Sequence, residues 1–288
     1  MNFNKMKDII ELINFGIINI DKPIGPTSFS ISNYVRREFN LNKTSHLGTL
    51  DPKVSGVLPI ALGRACKLAG FLIGNDKKYV GILHTHKEQD INELQRIINI
   101  HFLGKIKQIP PHKSAVKREE RIREVFDWKL LEYSENKKDF LFYCKVQGGT
   151  YIRKLCSDLG EYIEGAHMSE LRRTKAGYFD EEKMYTLYEL DEAILKYKKG
   201  DDEQLKNMII PAIEIIKKKF KIIYVKKEVV KSLLTGKPLL KNHVLDLKQI
   251  EKLDEGEEFA IFEGEKFIEI AKKVTQNSII AKSLFVYN

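Results

Sequence analysis

The chain of 288 residues carries 49 Lys+Arg against 40 Asp+Glu, a formal net charge of +9. A composition of 43% hydrophobic and 31% charged residues is that of a globular protein, which argues against collagen, coiled coil and disorder. Length predicts about two domains, and the surplus of cations points to a polyanionic partner.

Residues 1–15 read as a short helical or irregular lead. Gly16–Asp21 is an Ile-rich strand, and Lys22–Ser28, with two prolines and a glycine, is a loop. Thr27 or Ser28 caps a helix in which Ile31, Tyr34, Val35 and Phe39 recur at helical spacing. A second loop covers Thr44–Ser55, followed by a helix over Ala65–Leu72 that ends at Gly74. Lys78–Leu83 is a strand, and Ile91–Phe102 is an amphipathic helix stopped by Gly104. After the basic, proline-containing segment Lys105–Arg123, Val125–Tyr133 and Phe140–Val146 form paired strands. Gly148-Gly149 leads into a helix over Tyr151–Ile163, and further helices cover Leu187–Lys198 and Leu205–Lys218. The character then changes to short strands, with a hairpin at Phe259–Ile270, so the domain boundary is placed near Lys218. Residues 217–288 carry a net +5, which leans towards nucleic acid.

The cysteines, Cys66, Cys144 and Cys156, are odd in number and widely spaced, as suits a reducing compartment. Glu11 and Asn14 interrupt the first apolar stretch, so no secretory signal is expected. Pro59, Arg64 and Lys67 argue against a membrane span in the most apolar later stretch, and a cytoplasmic protein is expected.

Unusual residues concentrate in His46-Leu-Gly-Thr-Leu-Asp51-Pro-Lys-Val-Ser-Gly-Val-Leu-Pro59. Pro52 restricts Asp51 to extended backbone, and a carboxylate held in such a loop is a candidate nucleophile or base. The plainer alternative is an Asp that merely caps a turn. In Gly148-Gly-Thr-Tyr-Ile-Arg153, two glycines open a helix whose first turn carries an arginine able to pair with an acid. Tyr79 and Tyr151 offer rings for stacking on a base. His84 and His86 form a His-x-His pair that, without a third ligand nearby, reads as two ordinary polar residues. No phosphate-binding loop, dinucleotide fingerprint or Gly-x-Ser-x-Gly elbow is present.

In this order, the segments resemble the dyskerin/TruB class of RNA pseudouridine synthases, and within it the archaeal catalytic subunit of H/ACA ribonucleoproteins. The resemblance lies in Asp21-Lys-Pro-Ile-Gly-Pro-Thr-Ser28, His46–Pro52, Lys78-Tyr79-Val80, Gly149–Arg153 and Gly165–Thr174. Pro110-Pro-His-Lys-Ser-Ala-Val-Lys-Arg118 looks like a run typical of the dyskerin branch. Residues 220–288 are similar to a PUA domain, a small β pseudo-barrel that grips RNA. Its helix would be Glu228–Leu234, and its RNA-contacting loop Thr235–Leu239. The branch usually has Gly-His-Ser-Gly where this chain has Ser45-His46-Leu47-Gly48.

The resemblance implies an α+β fold: a mixed, largely antiparallel sheet flanked by helices over residues 16–218, and a PUA barrel over 219–288. The lead, residues 1–15, would pack on that barrel. It implies that Asp51 is the essential carboxylate, attacking C1′ or removing the C2′ proton of uridine. Arg153 would pair with Asp51, Tyr79 would stack on the flipped base, and Leu171 would wall the pocket. Lys22, Pro23, His46 and Tyr151 would support them. Lys113, Lys117 and Arg118 would clamp RNA from a thumb-like loop, and Lys237 and Lys241 would hold it from the PUA domain. The isomerisation requires no cofactor and no metal. The implied partners are an H/ACA guide RNA, an rRNA or tRNA substrate, and Nop-type, Gar-type and kink-turn-binding ribosomal-type proteins. Two readings compete with guided catalysis: a stand-alone enzyme for the tRNA T-loop, and a non-catalytic RNA-binding scaffold. The scaffold has no need of a buried Asp51–Arg153 pair. A hydrolase built on Asp51 lacks a second carboxylate at a recognisable spacing.

Overall fold

In the computed structural model, which describes residues 9–109, 117 and 119–288, the chain divides between Ile209 and Ile210 into two units. The first opens with α1 (Ile9–Asn14), β1 (Gly16–Lys22) and α2 (Ser28–Glu38). It continues through β2 (Thr44–His46), β3 (Val54–Leu62), α3 (Ala69–Leu72), β4 (Lys77–Thr85) and α4 (Ile91–His101). Then come β5 (Gly104–Gln108), β6 (Arg121–Tyr133), β7 (Asp139–Val146), α5 (Ile152–Leu159), β8 (Ala166–Ala176) and β9 (Phe179–Asp180). α6 (Leu187–Lys198) and α7 (Glu203–Met208) complete the unit.

One sheet carries this unit in the order β1-β3-β8-β4-β7-β6-β5, with β2 added to β3 and β9 to β8. β3 and β8 pair in parallel, while the other neighbours along that order are antiparallel. Helices α2, α4, α5 and α6 pack on it, which is the mixed, largely antiparallel arrangement expected. Ile9, Leu12 and Ile13 of α1 enter the same core, so this part of the lead is bound to the first unit.

β3 is absent from the sequence reading, because Gly56 and Pro59 both weaken a strand signal. Its burial is nearly continuous, as in a strand covered on both faces. One edge of β3 pairs with β8 over Val54–Gly56 and with β2 over Ile60–Leu62. Pro59 falls between these partners, where no ladder bond requires an N–H. Gly56, at φ +99°, allows the closest approach: a Cβ there would stand 2.3 Å from the Arg173 carbonyl oxygen.

Two helical expectations are revised. The segment before Gly74 is a tight turn over Gly63–Leu68 followed by the short α3. The helix expected over Leu205–Lys218 is broken at Ile209–Pro211, which forms the short strand β10, because Pro211 offers no helical N–H. The next helix, α8 (Ala212–Lys219), belongs to the second unit, where Lys217 pairs with Glu265 and lies over the Phe262 ring. The division therefore falls ahead of Lys218.

The second unit contains β11 (Lys221–Tyr224), α9 (Val230–Leu233), β12 (Leu239–Leu240), α10 (Leu247–Glu251), β13 (Glu258–Glu263), β14 (Lys266–Gln276) and β15 (Ile279–Val286). The strands run in the order β11-β13-β14-β15-β12 as a half-barrel around Leu233, Phe259, Ile261 and Ile268. The expected hairpin is β13–β14. Among the described residues, no helix is long and apolar enough to cross a membrane, and the three cysteines are buried and free.

Replacing Gly56 by Ala is expected to destabilise the protein by about 2–4 kcal/mol, since it combines positive-φ strain with a backbone clash. Denaturant midpoints of the full chain measure this, and an unchanged midpoint would contradict the close β3–β8 approach. Glu269 on β14 is 1% exposed with one carboxylate oxygen unpartnered, and burial pushes its carboxyl up to about 7 against a hydrogen bond from Ser283. A folded pKa above the unfolded value stabilises below about pH 4.3, and that stability is lost as pH rises to about 7. Glu269→Gln should therefore match the wild type at pH 4 and exceed it at pH 8 by up to about 3 kcal/mol. Identical pH profiles for the two proteins would show that Glu269 is not buried as a charge.

Candidate active site

The loop from Gly48 to Pro52 is fixed from three sides. From the β1–α2 connection, the buried Ser28 hydroxyl accepts from the Leu50 amide at 2.8 Å and donates to the Leu50 carbonyl at 3.0 Å. Ser28 is free to do so because Thr27 caps α2, accepting from the Ser30 amide. Two groups meet the Pro52 carbonyl: the Gly25 amide at 2.9 Å and the Lys22 ammonium at 3.4 Å. Lys22 also donates to the Pro23 carbonyl at 2.8 Å. The Asp-Lys-Pro-Ile-Gly-Pro-Thr-Ser run thus forms the backing of the Asp51 loop.

The third side is Arg173 on β8, 1% exposed. Its Nε donates to the Val57 carbonyl at 2.8 Å, Nη2 to Gly48 at 2.9 Å and Nη1 to Thr49 at 3.4 Å. The Tyr79 hydroxyl bonds to the same guanidinium. Neither Arg173 nor Ser28 is among the site residues expected from the sequence. Arg173 lies inside the Gly165–Thr174 motif, and a polar residue at a position that β-pairing turns inward was the available signal.

Asp51 borders a cavity of about 450 Å³, a volume typical of small-ligand sites. Its Oδ2 lies 3.2 Å from Arg153 Nη2, with the two side chains 47% and 53% exposed. The pair is therefore half open to solvent, whereas the sequence reading takes it as buried; it lines an open cavity. Arg153 reaches it from the first turn of α5, which starts at the Tyr151 cap position. Gln108 of β5 brackets Tyr151, accepting from its amide at 3.0 Å and donating to its carbonyl at 3.3 Å. Tyr79 and Leu171, from the adjacent strands β4 and β8, supply buried apolar wall beside Asp51.

Cations crowd this one carboxylate. Burial holds the Lys22 and Arg173 side chains below their usual pKa ranges, with Asp51 opposing the effect at Lys22. Burial and the nearby Arg173 push the Lys77 amine down to about 8. The Tyr79 phenol is raised, chiefly by burial, with Arg173 opposing. His46 is lowered by burial and then by Arg173, and its Nε2 lies 3.2 Å from the Thr49 hydroxyl. Leu47 is 3% exposed and turned into the core, its amide bonded to the Pro59 carbonyl, so its bulk is absent from the cavity wall.

Of the candidate RNA-binding residues, Lys113 and Arg118, with most of the Pro110–Arg118 run, lie outside the described residues. Lys117 pairs with Glu119. Lys237 and Lys241 are exposed on either side of β12, and no ion pair joins either to a described carboxylate. The structure brings Asp51, Tyr79, Tyr151, Arg153 and Leu171 to one cavity, with Lys22, Pro23 and His46 behind or beside the loop.

The family model described as "TruB family pseudouridylate synthase (N terminal domain)" matches residues 36–152, and "tRNA pseudouridylate synthase B C-terminal domain" matches residues 153–217. A "Probable tRNA pseudouridine synthase B" of Methanocaldococcus jannaschii is 45% identical over 207 residues, covering 71% of this chain and 61% of that protein's length. A protein of the same name from Archaeoglobus fulgidus is 41% identical over 227 residues, covering 78% of this chain and 69% of the relative. Among solved structures, a chain of a Cbf5-Nop10-Gar1 complex superposes with a TM-score of 0.85 at 33% identity, covering 97% of this chain and 87% of its own. A chain of an H/ACA RNP bound to a substrate RNA containing 2′-deoxyuridine gives 0.84 at 30%, covering 98% and 88%. With a relative matched at this identity over more than two thirds of its length, the chain belongs to the TruB family of pseudouridylate synthases.

Proposed function

We propose that the chain converts uridine to pseudouridine in RNA as the catalytic subunit of a guide-RNA-dependent particle. The observation that carries the catalytic part is Asp51, presented by a loop hydrogen-bonded on three sides, beside Arg153 and above the wall formed by Tyr79 and Leu171. The reaction breaks the N1–C1′ bond, turns the uracil and rejoins it through C5, so the C5 proton is lost and N1 gains one. A carboxylate at the sugar face can attack C1′ or take the C2′ proton, and the Asp51 carboxylate has one oxygen engaged by Arg153 and the cavity before it. The Tyr79 ring supplies a surface for a base turned out of its stack, an interaction worth about 1–3 kcal/mol. The apolar wall retains the detached uracil and keeps water from intercepting it. The buried Arg173 and Lys22 hold the loop, so the carboxylate is already oriented when RNA arrives.

Guide dependence is supported by the likeness to chains of the Cbf5-Nop10-Gar1 and H/ACA RNP structures across nearly the whole length. On this reading the partners are an H/ACA guide RNA, proteins of the Nop10 and Gar1 type and a kink-turn-binding protein, and the substrate is rRNA or tRNA. A second reading, a stand-alone tRNA enzyme, is favoured by the names of the curated relatives. The two differ in a single assay: tritium released from C5-labelled uridine, with a T-loop tRNA transcript alone or with an rRNA target plus guide and partner proteins. Turnover restricted to the guided mixture supports the first reading, and turnover on naked tRNA the second.

Asp51→Asn should lower product formation at least about a thousandfold while leaving RNA affinity nearly unchanged. Near-wild-type tritium release would remove Asp51 from its role. Replacing Lys237 and Lys241 together with Ala should weaken guide-RNA binding and lower the slope of log affinity against log salt by about 1–2. An unaltered slope would take those lysines out of the RNA contact.

A further inference from the structure

Among the described residues, three basic side chains line the cavity: Lys77, Arg153 and Arg173. Arg173 is engaged by the Val57, Gly48 and Thr49 carbonyls and the Tyr79 hydroxyl, and Arg153 reaches Asp51. Lys77 stands apart from both. It opens β4, is 5% exposed, and shares the buried face of that strand with Tyr79, two residues on. Its ammonium donates to the Ile73 carbonyl at 2.9 Å and to the Asn75 carbonyl. An ammonium has three N–H groups, so one is left without a described acceptor.

The lysine stem lies against the loop that carries Asp51: a Cβ on Gly48 would be in ordinary contact with Lys77 Cε, at 3.7 Å. The charged groups around the amine are few. Arg173, from β8, adds to burial in pushing it down to about 8, and Asp76, just ahead of β4, opposes them. Asp76 is shared with Lys145 of β7, at 3.9 Å, while Asp51 and Arg153 border the same cavity from the loop and from α5. Burying a cation beside another cation is costly. The fold nevertheless keeps one here, in the cavity wall, with carbonyl partners and no carboxylate bonded to it.

We propose that Lys77 is a catalytic residue that hydrogen-bonds the uracil ring and stabilises the negative charge it carries once the N1–C1′ bond is broken. On the isomerase reading, on which this rests, the electron pair of that bond leaves with the base. The charge spreads over N1, O2 and O4, while C1′ is met by the Asp51 carboxylate or relieved by loss of the C2′ proton to it. Tyr79 and Leu171 offer ring and alkyl surface, and Arg153 is drawn to the carboxylate, which leaves Lys77 for the base. A donor fixed by two carbonyls and shielded from water stabilises such an anion without reorganising when it forms. When C5 joins C1′, the ring loses the C5 proton, N1 gains one, and the charge is gone. The anion exists only after cleavage, so the contact acts on turnover more than on RNA affinity.

The test is tritium release from C5-labelled uridine by the full-length chain, in whichever RNA mixture the wild type turns over. Lys77→Gln keeps N–H donors for the two carbonyls and removes the charge. It should lower kcat about 10²–10³-fold, with KM for RNA changed by less than about threefold. Lys77→Arg, which keeps the charge, should recover at least about tenfold of that loss. Wild-type kcat/KM should fall as pH rises through about 8, where the ammonium gives up its proton. In Lys77→Arg this alkaline limb should move up by at least about one unit, because a guanidinium stays charged. A wild-type profile flat through about pH 9, a Lys77→Gln chain with wild-type kcat, or a limb that stays in place in Lys77→Arg would each overturn the role of Lys77 alone. A wild-type chain that releases no tritium from either RNA would instead overturn the isomerase reading, and this role with it.

Discussion

Much of the first unit depends on one buried guanidinium. Arg173 is satisfied by three main-chain carbonyls, of Gly48, Thr49 and Val57, and by the Tyr79 hydroxyl. A planar group with five fixed donors can join four partners that a lysine could not serve at once. It ties β8 to β3 and to the loop that carries Asp51, and it sets Tyr79 beside that loop. Leaving such a charge unpartnered in the interior would be strongly destabilising, so the loop and the strands are held as one arrangement. The surrounding motif serves the same end: Ser28, Gly25 and Lys22 fix the opposite side of the loop through Leu50 and Pro52.

The same construction explains the distribution of charge near the cavity. Arg173 and Lys22 are buried cations engaged by backbone carbonyls, and they act on the loop rather than on solvent. Arg153 is the half-exposed one and reaches Asp51 directly. One carboxylate, that of Asp51, thus stands among these cations at the edge of the cavity. Lys237 and Lys241 of the second unit are of the other kind: exposed, unpaired with described carboxylates, and suited to contacts that depend on salt.

The sequence made legible those elements in which periodicity and punctuation agree. β1, α2, β4, α4, the β6–β7 pair, α6 and the β13–β14 hairpin fall where alternation, caps and turn residues place them. β3 was hidden because a glycine and a proline, read locally, break a strand; only the change of partner from β8 to β2 makes Pro59 acceptable. α7 and α8 were fused because their apolar periodicity carries through Pro211. At the site, Asp51, Arg153, Tyr79 and Leu171 were accessible through motif order, and the structure gathers them at one cavity. Arg173 was not, because its place there depends on which residues the β4–β8 register sets side by side. Local spacing carries no record of that register.

The partners of Arg173 have a bearing on how the chain matures. The Val57 and Gly48 carbonyls lie 116 and 125 residues before it in the chain. Contacts of such long sequence separation form only after a large loop has closed, and they slow the assembly of the sheet that contains them. A nascent chain that has released β1 through α5 already holds Asp51, Tyr79 and Arg153, yet lacks the residue that fixes their loop. The loop that carries Asp51 is therefore fixed late in synthesis, when β8 takes its place between β3 and β4, and a chain that ends before β8 lacks the guanidinium that holds it.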